Sequence, residues 1–112
     1  MNVNDRISHI TNWISNYAKS NSNKSFELVV GVSGGIDSAV TSTLCAMTGI
    51  NTHVVSMPIK QNSNQHDLSL IQIDWLKNKY DNIHTYIIEL DEVFKIFKKT
   101  MNEFDSELAF AN

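Results

Sequence analysis

The sequence predicts an α/β protein: an open parallel sheet with helices on both faces. Three observations predict it. Short apolar, β-branched runs alternate along the chain with amphipathic helical stretches. The stretches between successive runs are long enough for crossover helices, which parallel strands require. A glycine pair, Gly34-Gly35, breaks the chain where the first apolar run gives way to a helix. The 112 residues carry 42% hydrophobic and 19% charged side chains with a formal net charge of -3. That balance excludes a disordered chain and suits one domain, 1–112.

The elements follow in order. Val3, Ile7, Ile10, Ile14 and Tyr17 recur at three- and four-residue steps, a helical stripe that Trp13 widens. Ser20-Asn21-Ser22-Asn23-Lys24-Ser25 is a polar loop. Phe26 to Val32 is mostly bulky and apolar and reads as a buried strand of a parallel sheet. A helix then runs from Ile36 to about Met47, with Gly49 as its C-terminal cap. Thr52 to Met57 is the second strand, ended by Pro58, and 59–63 is polar loop. Asn64 caps the next helix with Asp67 in its first turn. Leu68, Ile71 and Trp75 line one side of that helix, with Leu70, Ile73, Leu76 and Tyr80 beside them. Asp81-Asn82 stops it. His84 to Leu90 is the third strand, and Asp91 opens a helix with Val93, Phe94, Phe97 and Met101 on one side. Residues 105–112 read as a further helix begun and not finished, so the sequence has the look of the front of a larger protein.

Composition also limits function. No apolar run is long enough to span a membrane. A pI near 5.7 with no basic patch argues against nucleic acid as a partner. The lone Cys45 allows no internal disulfide, and the N-terminus shows no secretory signal, so the expected compartment is the cytoplasm. His9, His53, His66 and His84 lack metal-ligand spacing. Cys45 reads as a buried thiol, Trp13 and Trp75 as packing residues, and Lys95, Lys98 and Lys99 as a solvated face.

The stretch that carries chemistry is Gly31-Val32-Ser33-Gly34-Gly35-Ile36-Asp37-Ser38. It sits between a strand and a helix, at the sheet edge where open α/β folds bind ligands. Two glycines let the backbone turn sharply and approach a ligand closely. Helix-start amides and the hydroxyls of Ser33 and Ser38 would then cradle an anion. No lysine follows the glycines, so this is no Walker A loop. Asp37 stands there instead, and a carboxylate beside phosphates needs a cation between them, which makes Asp37 a Mg2+ ligand candidate. The stretch also satisfies G-x-S-x-G, with Ser33 as a hydrolase nucleophile. That reading leaves Asp37 unexplained and places the elbow after one helix rather than after several strands. A third reading is a glycine turn with no ligand.

SGGIDS resembles the PP-loop of the ATP pyrophosphatases, the adenine nucleotide alpha hydrolase-like fold. The opening amphipathic helix, FELVVGVSGGIDSAV, the strand ending Met57-Pro58 and the final Ser106-Glu107-Leu108-Ala109-Phe110-Ala111-Asn112 together resemble the front part of the NAD synthetase family. The resemblance implies amidation of deamido-NAD with ATP, Mg2+ and ammonia through an acyl-adenylate. It places pyrophosphate on Ser33, Gly34, Gly35, Asp37 and Ser38, with Ile36 also in the ATP site, Mg2+ on Asp37, the nucleoside near Gly31 and Val32, and adenine at Ser56 and Met57. Many family members carry an arginine near the Ser56 position, stacked on the adenine. Serine cannot stack, so recognition here would fall to backbone groups and Met57. The family forms homodimers. With the first strand opening at Phe26, the expectation is that no glutaminase domain precedes it and that free ammonia is the nitrogen donor. Alternatives are the same chemistry on nicotinate mononucleotide, another PP-loop ligase, and a nucleotide-binding fragment without catalysis.

Overall fold

The computed structural model describes the backbone of residues 2–20, 26–57 and 63–111, and side chains within these except at 63, 65, 66 and 104–111. The elements run α1 (Val3–Ser20), β1 (Leu28–Gly31), α2 (Ile36–Met47), β2 (Thr52–Ser56), α3 (Ser63–Lys79), β3 (Ile83–Ile87) and α4 (Asp91–Ala111). The expected loop at Pro58 and 59–62 lies outside the described residues, as does most of Ser20–Ser25.

The strands form one parallel sheet in the order β1-β2-β3. Leu28 stands opposite Thr52, and Thr52 opposite Ile83. Each strand is shorter than its apolar run because pairing, not hydrophobicity, ends it. The Val32 amide still reaches the Val55 carbonyl at 2.8 Å, and the Ile88 amide reaches Ser56 at 2.8 Å. Beyond Ile88 there is no β2 left to pair with, so residues 88–90 of the expected third strand are not strand.

One core holds the sheet to its helices. Val32, Val54 and Ile83 from the strand segments meet Ala46 of α2 and Ile73 and Leu76 of α3, with Val30 and Tyr80 against them. Thus α2 and α3 share one face of the sheet, as they must when both crossovers step the same way. The open parallel sheet is as expected; within the described residues its helical cover lies on one face. The other face presents Val29, 75% exposed, and Tyr86. It is tied laterally by side chains: His53 Nδ1 pairs with the Tyr86 hydroxyl at 2.9 Å and His53 Nε2 with Glu27 at 3.1 Å, while His53 stacks on His84. These contacts link all three strand segments across the pleat.

Helix details follow local chemistry. Gly49, at φ 79°, follows the C-terminus of α2 and donates to the Ala46 carbonyl at 3.2 Å, as expected for a glycine cap. Cys45 is buried, and burial pushes its thiol pKa up. The packed side of α3 is the one through Ser69, Ile73 and Leu76; Leu68, Ile71 and Trp75 are exposed. Asn64 lies inside α3, which already includes Ser63, rather than capping it. The stripe on α1 is largely uncovered, with Trp13 stacked on Tyr17 at 5.2 Å. The final two expected helices are one, α4; no glycine or proline interrupts the pattern between Met101 and Ala109.

Candidate active site

The loop between β1 and α2 lies at the C-terminal edge of the sheet. Gly34 makes the turn at φ 93°, a conformation closed to most other residues. Gly35 then caps α2 in extended geometry, with no side chain of its own to accept from the first helical amides. The first amide of α2 to find a helical carbonyl is that of Ala39, 3.2 Å from Gly35 O. The amides of Ile36, Asp37 and Ser38 precede it, at the positive end of the helix dipole.

The two serines organise this turn. The Ser33 amide donates to Ser38 Oγ at 3.1 Å, and the Gly35 amide donates to Ser33 Oγ at 3.3 Å. Ser38 Oγ donates its own proton to the Gly35 carbonyl at 3.1 Å. The two hydroxyls stand 3.2 Å apart. With Ser38 donating to Gly35, the Ser33 hydroxyl can turn its proton to Ser38 or to a ligand. The loop is thus pre-shaped by its own side chains, with Ser33, Gly35 and Asp37 exposed at its mouth.

Asp37 occupies the first turn of α2, where the dipole already favours an acidic side chain. Its donor set suits Mg2+, which takes oxygen ligands, keeps several waters, and needs only one or two carboxylates when phosphates supply the rest. Among the described residues no cluster of three His, Cys, Asp or Glu could hold a metal alone. A cation at Asp37 would therefore depend on phosphate oxygens.

The remaining expected residues divide. A Cβ on Gly31 would meet only the Val55 carbonyl, at 4.0 Å, so the space above the end of β1 is open. The Val32 side chain is core, 4% exposed. The Ser56 hydroxyl turns inward, 3.0 Å from Ser69 Oγ, and its carbonyl is taken by Ile88. Of the pair at the end of β2, Met57 is the one open to a ligand, 51% exposed. Beside the loop lies a cleft of about 290 Å³ walled by Gly34, Gly35, Ile36, Leu68, Ile71 and Gln72. The sequence reading missed Leu68 and Gln72 as neighbours of the loop. Both sit on α3, far along the chain, and no local pattern announces them.

The hydrolase reading of Ser33 finds no support in this geometry. No non-glycine among the described residues has positive φ, so Ser33 lacks the strain of a nucleophile elbow. Its hydroxyl is bonded to Ser38 and Gly35 rather than to a histidine. A fluorophosphonate probe should leave the protein unlabelled, with mass spectrometry of the intact chain as the check; an adduct on Ser33 would restore the nucleophile reading.

A parallel sheet that passes its first strand into a helix through Ser33-Gly34-Gly35-Ile36-Asp37-Ser38 is a PP-loop-like α/β fold. The chain belongs to the NAD synthase family, whose model matches residues 6–112. Among solved structures it is similar to an NMN synthetase from Francisella tularensis, at 26% identity and a TM-score of 0.77. That match covers 92% of this chain and 41% of the other, so this chain spans less than half the length of that relative. No curated protein matches it.

Proposed function

We propose that the chain forms the ATP-binding part of an ammonia-dependent ligase that amidates a nicotinate carboxylate, with deamido-NAD as the substrate. The observation that carries this is the loop: helix-start amides, the Ser33 hydroxyl and the exposed Asp37 in the first turn of α2 belong to one turn at the sheet edge. Phosphates are what that combination binds. The carboxylate oxygen attacks the α-phosphorus of ATP, and the bond to the bridging oxygen breaks. Pyrophosphate leaves onto the amides of Ile36, Asp37 and Ser38 and the Ser33 hydroxyl. Ammonia then attacks the acyl carbon, loses a proton, and expels AMP. Mg2+, held by Asp37 and the phosphate oxygens, would neutralise charge on the departing pyrophosphate. Met57 would lie against the adenine. Cytoplasmic location and a homodimer belong to the same reading; no helix among the described residues is long and apolar enough to cross a membrane.

A second reading takes nicotinate mononucleotide as substrate, and the likeness to an NMN synthetase favours it. One assay separates them. The protein is mixed with ATP, Mg2+, ammonia and each acid in turn, and amide, AMP and pyrophosphate are measured. The proposal expects NAD from deamido-NAD. Amide only from the mononucleotide selects the second reading. Absence of pyrophosphate with either acid, together with no ATP binding, sinks both.

A further inference from the structure

We infer that Gln72, on α3, is a positioning residue for the phosphate loop. This rests on the phosphate reading above and adds a residue that the loop sequence does not contain. The Gln72 amide nitrogen lies 3.2 Å from the Ala39 carbonyl, 3.3 Å from Ser42 Oγ and 3.2 Å from Thr43 Oγ1. A carbonyl only accepts, so the nitrogen of the amide, not its oxygen, faces α2.

The protons confirm that this is a designed cluster. Ser42 Oγ and Thr43 Oγ1 each donate to the same Ala39 carbonyl, at 3.0 and 2.7 Å. Each hydroxyl has thereby spent its proton and can only accept at the α3 side. The two Gln72 amide protons are shared among three oxygens, these two hydroxyls and the Ala39 carbonyl. Ser42 is fully buried and Gln72 half-buried, in a seam otherwise lined by apolar side chains.

Ala39 connects that cluster to the loop. Its amide is the first in α2 to bond a helical carbonyl, that of Gly35, and Gly35 O also receives the Ser38 hydroxyl. The path from α3 is Gln72 to the Ala39 peptide, then Gly35, then Ser38 and Ser33. Gln72 also walls the cleft beside Gly34 and Gly35. The start of α2 has no side-chain cap of its own. Its direction, and so the aim of its free amides, is held from outside by this tether as well as by Ser33 and Ser38 from within.

The test uses the full chain and two neutral variants that keep most of the side-chain volume, Gln72→Met and Gln72→Leu. Inorganic pyrophosphate with Mg2+ is titrated by calorimetry, and amide exchange is read at Ala39 and, for comparison, at Val54 in β2. Loss of one hydrogen-bonded tether should weaken pyrophosphate binding about fivefold. Exchange should speed up at Ala39 by a similar factor while Val54 stays unchanged, because a local pivot does not unfold the sheet. Unchanged affinity with unchanged Ala39 exchange overturns the proposal. So does exchange raised evenly across the chain, or failure of both variants to fold, since Gln72 would then be a packing residue. Should the wild-type chain bind no pyrophosphate, the phosphate reading itself fails. Ala39 exchange would still decide whether Gln72 holds the helix start.

Discussion

Asp37→Asn should cut Mg2+-dependent pyrophosphate release by about a hundredfold or more, yet leave the fold intact. The substitution keeps shape and removes charge. Asp37 is exposed and makes no ion pair among the described residues. Its stabilising role is limited to favourable interaction with the start of α2, an effect of a few tenths of a kcal/mol to about 1 kcal/mol at such positions. An amide retains part of even that. The charge matters far more to a cation wedged between the loop and polyphosphate, because Mg2+ binds neutral amide oxygens poorly and no second acidic cluster stands nearby among the described residues. The thermal midpoint should therefore move by a few degrees at most, while turnover collapses. Higher Mg2+ should recover some of the lost rate if the defect is one of metal affinity. Unchanged pyrophosphate release would remove Asp37 from the metal site and leave it as a helix-dipole residue.

This loop was legible in the sequence because everything that shapes it is local. Gly34 needs positive φ, Ser38 reaches back only to Ser33 and Gly35, and Asp37 follows within the same turn. The parallel sheet was legible for a similar reason: β-branched runs and crossover lengths are properties of the chain order. What escaped reading depends on which layer a side chain meets. Ser56 stands at the end of a strand that the resemblance ties to adenine, but alternation along β2 turns its hydroxyl toward Ser69. Gln72 carries no signal in its own segment, and only the packing of α3 on α2 brings it to three oxygens. The Glu27, His53 and Tyr86 contacts depend on strand register, which no single strand encodes. The stripes on α1 and α3 announced helices correctly, yet only tertiary packing decides which side is buried.

The largest loss of stability should come from Leu76→Ala. Leu76 is fully buried and sits in the one cluster that joins α3 to the sheet, against Val54, Ile73 and Ile83. Truncating it removes three carbons of buried surface and leaves a cavity that a parallel sheet cannot close by sagging. Such changes cost about 2–5 kcal/mol. For a chain of this size about 3 kcal/mol corresponds to a fall in Tm of roughly 10–20 °C. Trp75, the next residue along α3, is a sharp control: it is larger but 43% exposed, so Trp75→Ala should cost less. A midpoint lowered more by Trp75→Ala than by Leu76→Ala would mean that α3 meets the sheet through a different side. The two large effects are also separable. Leu76 itself does not line the cleft beside the loop and meets it only through the core it shares with Val32, so at a temperature where the variant remains folded its pyrophosphate affinity should stay close to wild type. Asp37→Asn should show the reverse, a wild-type midpoint with lost turnover. Stability in this chain rests on the buried face of α3, and the proposed phosphate binding on the exposed start of α2. Gln72 is the described side chain that belongs to both, which is why its substitution should register in loop exchange before it registers in Tm.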